Sequence, residues 1–97
     1  MQRGGELLEE RQTATTRLAH QAGHDPLTDL PNRALLRERL AHALAGPGAD
    51  GVALLYLDLD NFNVVNDSLG HAAGDQLLIA VGRRLHAVVR PHDTVAR

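Results

Sequence analysis

One continuous apolar run, Val52-Ala-Leu-Leu-Tyr-Leu-Asp-Leu-Asp60, constrains this chain more than any other feature. Its length and the Gly51 before it predict a strand over Val52 to Leu59, buried on both faces and ending in carboxylates. No second run of this kind occurs in the 97 residues. Only Asp93 to Arg97 looks like the opening of another strand. One strand and a stub do not make a stable sheet. The expectation is therefore the front part of an α/β or α+β domain, with helices around a single strand.

The helices are set by spacing and by breakers. Gly4 to Gly23 is polar and helix-forming. Leu7, Ala14 and Leu18 approximate a heptad seam, interrupted by Arg11, so both a solvated helix and a dimerising stalk are open. Pro26 and Pro31 make His24 to Arg33 a structured turn, because each disfavours helix at the residue before it. Asn32 can cap a helix running to about Ala45, with Leu35, Leu36, Leu40 and Leu44 on one stripe. Gly46-Pro47-Gly48 stops it. Asn61 to Gly70 is polar and turn-like. A last helix is predicted over Ala72 to Val89, on the stripe Leu77, Val81, Leu85 and Val88, and Pro91 ends it.

Composition removes several chemistries. All ten basic residues are Arg, so no lysine nucleophile, Schiff base or phosphate-binding lysine exists here. There is no Cys, which excludes disulfides, thiolate metal sites and cysteine catalysis. Aromatics make up only 2%, so any core must be Leu, Val and Ala. A net charge of −2 carries no bulk signature for nucleic acid or anionic membrane. No apolar run approaches the roughly 18 residues of a membrane span, and Met1 to Glu10 lacks the apolar stretch of a secretory signal. A cytoplasmic or cytoplasm-facing location is expected.

Chemistry concentrates after the strand. Period-2 geometry puts Asp58 and Asp60 on one face, and buried carboxylates need a partner or a cation. Mg²⁺ accepts carboxylate and carbonyl oxygen and shares its shell with phosphates. The alternative is two solvated acids at a strand end. An EF-hand starting at Asp58 fails at Phe62, Asn63 and Leu69. His24-Asp25 does not make a His-Asp phosphohydrolase site, since it enters a proline turn. Asn66 and Asp75 offer the donor and acceptor set that reads a guanine edge, although helix capping by Asn66, Asp67 or Ser68 fits the spacing equally. Gly70 and Gly74 permit close backbone approach. His71 reads as a polar helix start, and Arg83, Arg84 and Arg90 as a solvated face.

Together these residues resemble the first half of the bacterial diguanylate cyclase catalytic domain, the GGDEF domain. The resemblance covers His24 to Arg97. It rests on Asp25-Pro-Leu-Thr-Asp-Leu-Pro-Asn-Arg33, Leu57-Asp-Leu-Asp-Asn-Phe-Asn-Val-Val-Asn-Asp67, Gly70-His-Ala-Ala-Gly-Asp75 and Asp93-Thr-Val-Ala-Arg97. Residues 1–23 resemble the signalling helix before such domains. The resemblance implies an α+β, palm-like, ferredoxin-like fold of the nucleotidyl cyclase type. It implies that two GTP molecules condense to cyclic di-GMP across a homodimer, with attack of a ribose 3′-OH on an α-phosphate and Mg²⁺ or Mn²⁺ as cofactor. It implies metal at Asp58 and the Leu59 carbonyl, and phosphates on the backbone N–H groups of Asn61, Phe62 and Asn63. Guanine would fall to Asn66 and Asp75, and coupling of helix to domain to Asp25, Asn32 and Arg33. An upstream sensor and a downstream phosphodiesterase domain are the expected neighbours, with no nucleic acid partner.

This chain departs from the family's usual pattern in three places. Asn63 stands where Lys is usual, and Asp29 where Gly is commoner. The 97 residues contain no Gly-Gly-Asp/Glu-Glu-Phe hairpin, so the chain by itself is expected to be inactive. Two other functions compete: a degenerate GTP-binding module controlling an adjoining phosphodiesterase, and a dimerising helical stalk.

Overall fold

A computed structural model describes residues 2–97, with side chains described from Glu9 onward. Four α-helices follow one another: α1 (Gln2–Gly23), α2 (Arg33–Ala45), α3 (Phe62–Leu69) and α4 (His71–Val88), with a 3₁₀ turn at Ala49–Gly51. From Glu9 to Ala22, α1 is exposed. Thr13 and Thr16 turn their hydroxyls back to the carbonyls of Glu9 and Gln12. The seam position Leu18 is 65% exposed, and the side chain of the seam position Leu7 lies outside the described residues.

Between α1 and α2 the chain reverses through a tight turn. His24 and Pro31 face each other as an isolated antiparallel bridge. The Asp25 N–H donates to the Leu30 carbonyl at 2.7 Å, and the Asn32 N–H to the Gly23 carbonyl at 2.8 Å. Asn32 then serves two helix ends at once. Its side-chain oxygen accepts from the Leu35 N–H, capping α2, and its side-chain NH₂ donates to the Ala22 carbonyl at the end of α1. Both are backbone groups that a helix terminus leaves unsatisfied.

Two glycines of α4 set the remaining packing, and among the described residues they are the only ones fully buried. Gly82 admits Leu30: a Cβ there would lie 3.0 Å from Leu30 Cδ1. Gly74 admits Asn66 and Phe62 of α3. The α3–α4 junction is Gly70, which closes one helix and opens the next at φ 90. Glycine takes that conformation without the Cβ clash other residues suffer.

The expected α+β palm-like, ferredoxin-like architecture is not what forms. Among the described residues there is no strand, and the assembly is helical. Val52 to Leu59 has no regular secondary structure. Leu55, Tyr56 and Leu57 are 73%, 87% and 69% exposed. The reason is that a strand exists only when a neighbour accepts its N–H and C=O groups, and no second run of this kind is present to do so. The stub Asp93 to Arg97 forms no strand either, and the Arg97 N–H donates to Pro31 of the turn. A further correction concerns Asn61 to Gly70, which is largely the helix α3. Phe62, Val65 and Leu69 recur at i, i+3 and i+7, a helical face hidden by the polar residues between them.

The exposed apolar run predicts that these 97 residues self-associate. The 97 residues should show concentration-dependent light scattering. Replacing Leu55 and Leu57 together by Lys should suppress it, because charge blocks pairing of open backbone edges. Scattering unchanged in that variant would place the association elsewhere.

Candidate functional site

The turn is built around Asp25. Its carboxylate accepts from the Thr28 N–H at 2.9 Å and the Thr28 hydroxyl at 2.8 Å. The Arg97 guanidinium donates to both carboxylate oxygens at 3.1 Å. The Asp25 side chain is 14% exposed. Burial pushes its carboxyl up, but the Thr28 N–H and hydroxyl and the Arg97 charge outweigh this and hold it below the usual carboxylate range. Arg33, the third residue expected in the turn, starts α2 with an exposed side chain.

A second polar contact ties α1 to the turn. His20 Nε2 donates to Asp29 at 2.7 Å, and the His20 and His24 rings stack 3.7 Å apart. The His24 Nδ1 donates to the His20 carbonyl at 2.8 Å. The His20 hydrogen bond holds the Asp29 carboxyl below its ordinary value. Asp29 sits at φ 58, a left-handed conformation that suits Gly better than a residue with a Cβ.

The acidic segment lies at the start of α3. Asp58 and Asp60 are exposed and Leu59 is half-buried. Asn61 turns the chain at φ 61, and the Phe62 N–H donates to the Leu59 carbonyl at 3.3 Å. That carbonyl keeps a second lone pair. Among the described residues no group of three His, Asp or Glu side chains converges as a metal cage. Carboxylate and carbonyl donors nevertheless fit a hard cation that arrives with phosphates, since Mg²⁺ needs only one or two protein ligands in such sites.

The packing of α3 on α4 seats Asn66 against Gly74, one residue before Asp75 in sequence, with the Phe62 ring beside it. Asn66 is half-buried and Asp75 is exposed. The Asn66 amide on α3 and the Asp75 carboxylate on α4 supply two donors and three acceptor oxygens on two packed helices.

A family model described as "Diguanylate cyclase, GGDEF domain" matches residues 22–97. The chain belongs to the GGDEF diguanylate cyclase family. Diguanylate cyclase TpbB of Pseudomonas aeruginosa is 49% identical over 82 residues, 82% of this chain and 19% of that protein. The bifunctional diguanylate cyclase/cyclic di-GMP phosphodiesterase MucR of the same species is 49% identical over 86 residues, 87% of this chain and 13% of that protein. Cyclic di-GMP phosphodiesterase NbdA, also from P. aeruginosa, is 42% identical over 93 residues, 94% of this chain and 12% of that protein. The chain spans less than a fifth of the length of each of these relatives. No helix among the described residues is long and apolar enough to cross a membrane.

Several partners in this GGDEF chain escape a reading of the sequence. Thr28 follows Asp25 at i+3, a spacing common to local side-chain turns, and could have been found. Arg97 lies 72 positions away from Asp25, and nothing local announces it. Gly82 as the seat of Leu30 is equally silent, because a small residue in a helix does not say what covers it.

Asp25 gives the turn an acid sensitivity. Its folded-state value is depressed, so its contribution is complete above the ordinary value of 3.8 and is lost as pH falls through the folded one. The Thr28 amide resonance should stay constant from neutral pH down to that value and move below it. Asp25→Asn should abolish the movement. Asp25→Ala should cost about 1–3 kcal/mol of local stability, read as faster exchange of the Asn32 amide, by analogy with other hydrogen bonds to a charged group.

Proposed function

We propose that this chain carries the nucleotide-holding part of a diguanylate cyclase domain, with GTP as its ligand. The observation that carries the reading is the seating of Asn66 on α4 against Gly74, the residue before Asp75 in sequence. Asp75 accepts from the guanine ring N–H and exocyclic amine, and Asn66 takes the complementary atoms. Losing one hydrogen bond in such a site costs about 1–3 kcal/mol. The N–H groups of Asn61 and Asn63 are assigned to the phosphates, joined by that of Phe62 once it leaves the Leu59 carbonyl, and Asp58 with that carbonyl would hold Mg²⁺ or Mn²⁺. A bound Mg²⁺ offsets phosphate charge and lowers the pKa of an attacking hydroxyl. The residues of this chain bind and orient. Condensation of two GTP molecules to cyclic di-GMP needs a second carboxylate and a second nucleotide, so metal binding and turnover are assigned to the complete domain and its dimer.

Residues 1–23 act in this reading as the signalling helix and residues 24–97 as the GGDEF part. Asn32, through the Ala22 carbonyl, and Asp29, through His20, join the two, while Asp25 ties the turn to Arg97 within the GGDEF part. An upstream sensor drives the helix, and a homodimer brings two nucleotides together. A regulatory role is the second reading. The phosphodiesterase NbdA is among the similar proteins, and Asn63 replaces the family's usual Lys. There the chain binds GTP and adjusts an adjoining phosphodiesterase domain.

Calorimetry with GTP and ATP in the presence of Mg²⁺ tests the guanine contacts. Asp75→Ala should weaken GTP strongly and ATP little, and equal loss for both would remove the guanine role. Asp58→Asn should impair Mg²⁺-dependent binding more than Asp60→Asn does. The reverse order would mean the metal register is wrong.

Asn63→Lys should tighten GTP and steepen its salt dependence, because an ammonium adds a charged contact to phosphate that an amide cannot. Unchanged affinity would leave the phosphates to the backbone N–H groups alone.

A further inference from the structure

The α3–α4 hairpin contains a residue whose importance lies in what it lacks. Gly74 sits inside α4, the kind of position where glycine weakens a helix and Ala would strengthen it. Yet Gly74 is fully buried, and a Cβ at this position would collide with the Asn66 side-chain amide oxygen. It would also stand 2.9 Å from Asn66 Cγ and 3.3 Å from Phe62 Cζ. A Cβ added at Gly48 or Gly51 would meet nothing within 4 Å. The crowding at Gly74 is therefore specific to the α3–α4 contact.

We infer that Gly74 is a positioning residue for nucleotide selectivity: its missing side chain seats the Asn66 amide on α4, one residue before Asp75. Phe62 forms the other wall of the seat. Any β-carbon at position 74 moves the amide off this seat, while Asp75 itself keeps its place on the helix. The two contacts that select guanine then no longer address the same base edge. Binding of the phosphates, which lies with Asp58 to Asn63, is left in place. This inference rests on the reading of Asn66 and Asp75 as guanine contacts, and it assigns Gly74 a part in specificity with no contact to the base.

The test is a cycle of Gly74→Ala, Asn66→Ala and the double variant in the full chain, with two readouts. The first is exchange of the Gly70 amide, which donates to the Asn66 carbonyl at 2.9 Å and reports the last turn of α3, the turn that carries Asn66. Gly74→Ala alone should speed this exchange. In the Asn66→Ala background the same substitution should slow it or leave it unchanged, because the obstacle is gone and Ala favours the helix. The second readout is the ratio of GTP to ATP affinity. Gly74→Ala should lower GTP affinity about tenfold, the scale of one lost hydrogen bond, and leave ATP unchanged. A GTP preference that survives Gly74→Ala overturns the inference, as does equal acceleration of exchange in both backgrounds. If the parent chain shows no GTP preference while the exchange coupling holds, the guanine reading fails and the positioning role in selectivity fails with it. The packing role of Gly74 then stands by itself.

Discussion

The hydrogen-bonded Asp25 carboxylate is the interaction on which this structure depends most. Among the described residues no apolar side chain is fully buried, so ordinary core packing does not fix how the elements meet. Asp25 instead ties its own turn through Thr28 and draws in Arg97 from the end of the chain. Asn32 adds a second polar tie, joining the last carbonyls of α1 to the first N–H groups of α2. Hydrogen bonds to an ionised group are stronger than neutral ones and directional. They fix geometry at a place where few apolar contacts could.

Glycine is the second device. Gly82 receives Leu30 of the turn, and Gly74 receives Asn66 and Phe62 of α3. Helix α4 is thereby connected at two points, once to the turn and once to the candidate nucleotide site. The Leu30–Gly82 contact ties the turn to α4 directly, and Arg97 ties it to the segment after α4. The region that would carry a signal from α1 and the region that would hold guanine thus share one rigid helix, spaced by eight residues. Two helical turns separate these seats on roughly the same side.

Membership of the GGDEF family gives these contacts a common purpose. The family match begins at residue 22, at the end of α1, where the turn around Asp25 follows. Asp29 is a local peculiarity. It holds His20 of α1 from a left-handed backbone position that a glycine would occupy without strain. The turn therefore grips the helix at one more point than the family's commoner residue would allow, although both side chains of this pair are largely in water, where such pairs contribute little.

Local signals were legible in the residue order. Asn32 before a leucine stripe marks the start of α2, the Gly46-Pro47-Gly48 break marks its end, and the stripe from Leu77 to Val88 marks α4. These depend on neighbours within a turn or two, so sequence alone determines them. The candidate site residues were legible as motifs for the same reason. The apolar run from Val52 was misread, because strand formation depends on a partner that periodicity cannot supply. The helix α3 was hidden because its apolar face is short and set among Asn, Asp and Ser. Only tertiary structure decided that Arg97 meets Asp25 across 72 positions, that Leu30 rests on Gly82, and that Asn66 rests on Gly74. Such contacts carry no local energetic preference in the unfolded chain. They arise when helices dock, and docking is settled by which small residues leave room and which charges find each other.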